Sequence, residues 1–266
     1  MSPTSTSPST AWAPVRALAR VEGEKLLRSP LFLAGAAFVA LGSAIFVRAS
    51  LTNPSATWND DGWTVAAGTI FLAIFTMVAT NHAALRDRRE DTDEQHVSLP
   101  IGRSTRTGGL LLATAWPAAG AAVMVLLITA YAATRGPVTT LDNVHVADRL
   151  VAVVTLGVLG LALAAWLPSP FVAPVIAWGL LLITPGEDSQ AWHVLTPFAG
   201  ISDVGLALWH AVYLLGLAAL LGVAAVGRTS RTRWLLVAGA VGVGATIASA
   251  AVLLTRACPG TGPCLL

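Results

Sequence analysis

Long apolar stretches recur along this chain, and they constrain its fold more than any other feature. Most have the roughly 17–25 residues that a helix needs to cross about 30 Å of hydrocarbon. Only 11% of the residues are charged, whereas a soluble domain carries about 25%. Because backbone polar groups in lipid must pair within their own segment, we predict an all-α, polytopic integral membrane protein.

About seven transmembrane helices can be drawn from these stretches. The candidate spans cover residues 31–47, 63–80, 108–134, 149–167, 169–184, 204–226 and 234–254. Pro117 predicts a kink in the third span, and a re-entrant segment is the alternative for 169–184, whose start holds three prolines. With the N-terminus inside, the inner segments hold 12 of the 16 Lys and Arg residues and the outer segments hold 4. Since cytoplasmic segments carry the excess of Lys and Arg, this bias predicts an N-inside, C-outside protein of the cell membrane. The transmembrane domain would cover residues 31–254, followed by an external tail, 255–266.

The residues before the first span divide into a polar tail and a helix. Residues 1–10 are Ser, Thr and Pro in the main, and we expect them to be disordered. Residues 11–30 are predicted to form an amphipathic helix along the membrane surface. Its membrane-interface residues would be Trp12, Arg16, Arg20 and Arg28. Glu22 falls on the apolar side and interrupts the pattern, and a plain set of orienting charges remains the alternative.

Segment 81–107 is the only charged segment of any length that follows a strongly apolar stretch. It holds 10 of the chain's 30 Asp, Glu, Lys and Arg residues. The four-residue spacing of Arg86 and Glu90, and of Arg89 and Asp93, predicts that the second span continues into water as a helix. In the predicted orientation this segment lies in the cytoplasm, where another molecule can bind it; a solvated loop whose charges only orient the chain is the alternative.

The chain shows no pattern typical of an active site. A phosphate-binding loop needs a lysine followed by Ser or Thr, but the only lysine, Lys25, is followed by Leu26. No Cys or His spacing resembles a metal site. No Asp, Glu, Lys or Arg needs to lie in the apolar part of a span, which argues against a proton-coupled carrier. His210, next to Trp209 inside a span, is interpreted as an interfacial hydrogen-bonding residue.

The stretch Arg89–Ala113 resembles the hallmark cytoplasmic loop of type-2 ABC-transporter permease subunits. In that family an Arg/Glu-rich helix leaves the second span, and Thr, Glu, Leu-Pro and Arg follow before the third span. The residues in matching places are Arg89, Glu90, Thr92, Glu94, Leu99, Pro100 and Arg103. The N-terminal helix and the stretch Leu195–Ser202 are similar too, so the resemblance covers roughly residues 12–227.

The resemblance implies the permease subunit of an ABC exporter, with no catalytic residue, metal or cofactor of its own. A separate cytoplasmic ATPase would bind ATP and Mg²⁺ and would hold a short helix of segment 81–107. The residues expected at that contact are Arg86, Arg88, Arg89, Glu90, Thr92, Glu94, Val97, Leu99, Pro100 and Arg103. A second permease copy, identical or related, would complete a path for a hydrophobic or amphipathic cargo. Membrane lipid is expected as a partner, and nucleic acid is not.

Two features depart from the family pattern. Gly108 and Gly109 stand where the family's third span commonly begins with Gly-Lys, and the span 234–254 is additional to the family's usual six. The external tail holds Cys258 and Cys264, which are either bridged, two free thiols or lipidated. A membrane scaffold or sensor subunit without transport activity, and a secondary carrier, remain the alternative functions.

Overall fold

The computed structural model describes residues 8–50, 58–89, 102–134, 143–183, 204–228 and 233–257. In these ranges the regular elements are all helices. They are α1 (Pro8–Leu27), α2 (Pro30–Ser50), α3 (Trp58–Arg89), α4 (Arg103–Ala113), α5 (Ala115–Ala133), α6 (Asn143–Trp166), α7 (Val172–Ile183), α8 (Val204–Gly227) and α9 (Arg233–Ala257). The prediction of an all-helical chain is confirmed for this part of the protein.

Five stretches of these helices are long and apolar enough to cross a membrane. They are Thr69–Arg86, Ser104–Tyr131, Val146–Trp166, Gly205–Gly227 and Arg233–Leu253. The helices α1 and α2 pass the same test only as a pair, bent by 53° between Leu27 and Pro30. The described residues therefore contain five or six candidate spans, which supports a multi-pass membrane protein. The count of about seven is not supported, and the orientation stays a prediction.

The predicted span 169–184 is not among these candidates. The described part of this stretch forms α7, which has 12 residues and at 1.5 Å per residue is about 18 Å long, shorter than the roughly 30 Å of a crossing. Two prolines, Pro168 and Pro170, stand before its first turn. Because proline has no N–H to donate and its ring clashes with the preceding turn, the helix begins only after them.

The candidate span Ser104–Tyr131 is interrupted between α4 and α5. At this point the N–H of Thr114 donates to the carbonyl oxygen of Leu111 at 3.2 Å, which is the tighter spacing of a 3₁₀ turn. Pro117 explains the break, because it has no N–H for the carbonyl of Ala113. Helix α1 packs against both α4 and α5.

Helix α6 lies at the centre of the bundle. It packs along α3 and α8, while α2 packs on α3 and α9 packs on α8. The main apolar core is built by buried side chains of α3 and α6, among them Leu72, Met77, Val153 and Leu156. Phe32 of α2 also contributes to this core. In α9, by contrast, most side chains of the candidate span are exposed, since it lies at the edge of the bundle.

Candidate functional site

A buried carboxylate on α1 forms an ion pair with α3. Nη2 of Arg86 donates to Oε1 and Oε2 of Glu22, at 3.1 and 3.3 Å, and Nζ of Lys25 donates to Oε1 at 3.0 Å. A buried carboxylate without partners would strongly destabilise the fold. The contact explains why Glu22 interrupts the apolar side of the helix, since that side faces α3 and not only lipid.

Helix α4 contributes a further charged side chain, Arg106, beside the Glu22–Arg86 pair. Arg106 lies close enough to Glu22 and Arg86 for both charges to act on its guanidinium group. We call Glu22, Lys25, Arg86 and Arg106 the Glu22 cluster. It brings α1 together with the end of α3 and the beginning of α4, which are the two helices that flank the charged segment.

Close packing also fixes α1 on α4. A β carbon at Gly109 would come within 2.8 Å of Cδ2 and 3.1 Å of Cβ of Leu18, so only glycine allows this approach. Gly109 stands where the resemblance would place a lysine. Its role here is structural, because the absence of a side chain lets α1 lie against α4.

A cavity of about 330 Å³ lies beside the Glu22 cluster, and we call it the hinge cavity. It is lined by Glu22, Lys25, Leu26, Ser29, Pro30, Leu31, Ala79, His82, Ala83 and Arg86. These residues come from the end of α1, from the bend between α1 and α2, and from one face of α3. The cavity therefore combines charged groups with an apolar floor.

The structure places four of the residues that were predicted to contact an ATPase. Arg86, Arg88 and Arg89 lie in the last turns of α3, and Arg103 begins α4. Arg86 is turned toward Glu22 and is partly buried. The residues outside the described part of the chain are Glu90, Thr92, Glu94, Val97, Leu99 and Pro100. The contact with an ATPase stays a prediction for the whole set.

The four residues predicted at the membrane interface are exposed. They are Trp12, Arg16, Arg20 and Arg28. Nε of Arg20 pairs with Oε1 of Glu24 at 3.2 Å, as their four-residue spacing allows. Their contact with lipid stays a prediction. The cysteines Cys258 and Cys264 lie outside the described residues, so the three alternatives for them remain open.

A second buried cluster joins α6 to α8. Nδ1 of His210 lies 2.8 Å from Oδ1 of Asp148, and only 1% and 6% of these side chains are exposed. Arg149 is also buried and feels the charge of Asp148. The ring of Tyr213 stacks beside that of His210, with 6.2 Å between the centroids. If the imidazole is neutral, this hydrogen bond selects the tautomer with its proton on Nδ1.

Asp148 and Arg149 are buried and stand in the first turn of the candidate span Val146–Trp166, at its end. The expectation that no acidic or basic residue needs to lie in the apolar part of a span stays a prediction. His210 is buried in the bundle and hydrogen-bonds Asp148, and its place at the membrane interface stays a prediction. Hydropathy along the chain missed the cluster because the partner of Asp148 is on another helix. The available signal was the pair Asp148–Arg149 at the start of one span with a histidine inside another.

Buried polar groups connect α3 to α6 between the two clusters. Oγ1 of Thr80 donates to the carbonyl oxygen of Gly157 at 2.8 Å, and Nδ2 of Asn81 donates to that of Gly160 at 3.2 Å. These contacts precede Arg86 along α3 and follow Asp148 along α6. A β carbon at Gly160 would overlap the carbonyl group of Met77. The two backbones therefore touch, as is common where small residues meet in membrane helices.

Comparisons with protein-family models, with curated proteins and with solved structures give no match for this chain. Among the residues that the structure describes, no group of three or more His, Cys, Asp and Glu side chains could hold a metal ion. The Glu22 cluster, the Asp148–His210 cluster and the hinge cavity are therefore the features that bear on function.

Proposed function

We propose that this protein is the permease subunit of an ABC exporter in the cell membrane, which moves a hydrophobic or amphipathic cargo and is driven by a separate cytoplasmic ATPase. The observation that supports this best is the Glu22 cluster. It joins α1 to α3 at Arg86, near the start of segment 81–107, and α1 packs on α4, which begins near the end of that segment. A force on that segment would therefore act on three helices and not on a loop alone.

The force would pass from α3 into the rest of the bundle through hydrogen bonds and packed side chains. Thr80 and Asn81 hold α3 to α6, and Oγ1 of Thr155 donates to the carbonyl oxygen of Leu214 at 3.1 Å, which holds α6 to α8. Close packing keeps such an interface in discrete arrangements. We therefore propose that α3, α6 and α8 move as one body when the ATPase closes.

The cargo path would lie between two permease copies. The centre of the single bundle is filled by apolar side chains such as Leu72, Met77 and Leu156, so a cargo passing there would have to disrupt the core. Exposed apolar side chains are numerous on α2, α5 and α9. Such surfaces suit contact with lipid, with a second copy or with an apolar cargo.

Charge reversal in the flanking segment tests this function. The triple variant Arg88→Glu, Arg89→Glu and Glu90→Arg should lose co-purification with the cytoplasmic ABC ATPase that we expect to be encoded beside this chain, and should no longer alter its ATP hydrolysis. The double variant Arg231→Glu and Arg233→Glu is the control, because it reverses charges on the same predicted side but away from the segment. Unchanged co-purification of the triple variant would contradict the proposal.

The Asp148–His210 pair favours a second candidate, a proton-coupled secondary carrier. Titratable groups buried in a membrane bundle are typical of proton pathways, and this pair joins α6 and α8 at 2.8 Å. Proteoliposomes that contain this chain alone would then admit protons under an imposed pH gradient, as a trapped pH-sensitive dye reports. Asp148→Asn should abolish that signal. Absence of both proton movement and an effect on the ATPase would favour the scaffold or sensor subunit.

A further inference from the structure

We infer that the hinge cavity is a binding site for the headgroup of an anionic phospholipid. It lies between the end of α1, the bend before α2 and the end of α3, and its volume is about 330 Å³. The inference is independent of the transport function, since it depends only on the cavity and on a membrane around the bundle.

The charges at the cavity wall favour an anion. Lys25 and Arg86 share a single carboxylate, that of Glu22, at 3.0 to 3.3 Å. One positive charge therefore remains after both ion pairs are formed. The hydrogen bonds that the structure describes for the Arg86 side chain are made by Nη2 alone. A guanidinium group has five N–H donors, and their planar arrangement matches phosphate oxygens.

A ligand can reach these groups from outside. The side chains of Lys25 and Arg86 are 52% and 34% exposed, whereas that of Glu22 is 8% exposed. The carboxylate thus lies behind the two cations and holds them in place from the protein side. A phosphate group entering the cavity would meet the cations first.

The apolar part of the lining favours a lipid over free phosphate. Leu26, Leu31, Ala79 and Ala83 form most of the remaining wall, and free phosphate has no group to place against them. Along α3, Arg86 stands in the polar stretch that follows the apolar part of the helix, so we place the cavity near the depth where headgroups meet acyl chains. A headgroup phosphate would bind Lys25 and Arg86 while the glycerol and first methylenes cover the apolar wall.

Glu22 gives this site a diagnostic property. Because the carboxylate competes with the phosphate for Lys25 and Arg86, removing its charge should strengthen lipid binding. Removing either cation should weaken it. If the cluster only stabilised the fold, Glu22→Gln and Lys25→Gln would not change the affinity for the lipid in opposite directions.

Native mass spectrometry of the full chain in detergent tests the inference. The protein is incubated with equal amounts of phosphatidylglycerol and phosphatidylcholine that carry the same acyl chains. We expect one phosphatidylglycerol to be retained in preference to phosphatidylcholine. Lys25→Gln should weaken its binding about tenfold, on the scale of one hydrogen bond to a charged group, and Glu22→Gln should increase it. Lys25→Gln keeps the Glu22–Arg86 pair, so it should fold normally.

Two controls decide against the alternatives. Arg233→Gln removes an exposed charge at the start of α9, on the same predicted side of the membrane, and should leave retention unchanged. If Arg233→Gln and Lys25→Gln lost phosphatidylglycerol retention equally, the lipid would be held by general charge attraction, and the inferred site would be wrong. Equal retention of the two lipids, or no increase in Glu22→Gln, would also overturn it. Displacement of the lipid by millimolar inorganic phosphate would show that the site takes free phosphate instead.

Discussion

At the scale of single residues, the buried carboxylates Glu22 and Asp148 are both held by a partner on another helix. Glu22 binds Arg86 of α3 as well as Lys25 of its own helix, and Asp148 binds His210 of α8. Taking a carboxylate out of water is costly unless such partners satisfy it. The two pairs therefore specify which helices pack together, in addition to any role in transport.

The first prediction concerns the Glu22–Arg86 pair. Arg86→Met should lower the free energy of unfolding by about 1–3 kcal/mol, because it removes two hydrogen bonds to a buried carboxylate. The double variant Glu22→Leu and Arg86→Met should lose less than the sum of the single variants, since the buried carboxylate is removed together with its partner on α3. Denaturant unfolding in detergent micelles, followed by tryptophan fluorescence, measures these differences.

The pair Arg20–Glu24 on the same helix is a matched control. Its side chains are 76% and 42% exposed, and exposed pairs contribute only about 0–1 kcal/mol. Arg20→Met should therefore have little effect on unfolding. If Arg20→Met and Arg86→Met lowered the free energy of unfolding equally, burial would not increase the contribution of the Glu22–Arg86 pair to stability.

The second prediction concerns Asp148 and His210. Asp148→Asn and His210→Gln should each lower the free energy of unfolding by about 1–3 kcal/mol, because each leaves a buried polar partner without its hydrogen bond. Combining the two substitutions should cost clearly less than their sum, since the interaction can be lost only once. Strictly additive effects in the same unfolding assay would argue against a direct pair.

The buried clusters were only partly accessible to prediction from the sequence. Glu22 stood out as an acidic residue on an apolar helix face, yet nothing in a single sequence indicated that Arg86, in another helix, would bind it. His210 was identified as an ionisable residue inside a span. Its partner, Asp148, lay just outside the apolar stretch that was used to draw the span 149–167. Contacts between distant helices depend on how the helices pack, which hydropathy does not describe.

At the scale of helices, glycine decides where two backbones can touch. The approach of α3 to α6 depends on Gly160, whose position faces the carbonyl group of Met77. Along α9, a β carbon at Gly244 would meet no atom of a neighbouring helix within 4 Å. Glycine is therefore needed for a close helix contact at Gly160, whereas no neighbouring helix requires it at Gly244.

The third prediction compares these two glycines. Gly160→Ala should lower the free energy of unfolding by about 1–3 kcal/mol, because α3 and α6 must move apart. Gly244→Ala should be neutral or stabilise the protein by up to about 1 kcal/mol, as expected for alanine in an open helix position. Unfolding curves of the two single variants give the comparison. Similar behaviour of both would contradict the close approach at Gly160.

The apolar stretches predicted the helices well, because length and hydropathy are local properties of the chain. Proline changed the outcome at one stretch. The stretch 169–184 is apolar, but Pro168 and Pro170 delay the start of α7, which has 12 residues in the described part of the chain. In the stretch 108–134 the predicted span is a candidate span in the structure, and the missing N–H of Pro117 explains its division into α4 and α5.

At the scale of the whole molecule, the proposed function depends on which side of the membrane holds the Glu22 cluster. The cluster lies at the end of α3 that leads into segment 81–107, so the cluster and the segment share one side. The uneven distribution of 12 and 4 basic residues predicts that this side is the cytoplasm. An ATPase could bind the segment only there.

The fourth prediction tests that orientation. In a variant with Cys258→Ser and Cys264→Ser, the added substitution Gln95→Cys should react with a membrane-impermeant maleimide only after the cells are opened. Asn53→Cys in the same background should react in intact cells, since residue 53 lies in the predicted outer loop between the first two spans. Labelling of residue 95 in intact cells would exclude a cytoplasmic segment 81–107, and with it the proposed coupling.

The 53° bend between α1 and α2 also bears on how the protein fits different bilayers. Oγ of Ser29 accepts the N–H of Phe32 at 3.2 Å, and the carbonyl oxygen of Ser29 accepts the N–H of Leu33 at 3.0 Å. The first turn of α2 is thus completed by Ser29 and needs no hydrogen bond from the body of α1. A change of angle at this point leaves the first turn of α2 intact, so α1, together with the helices on which it packs, can adjust its tilt relative to α2 in a thinner or thicker bilayer.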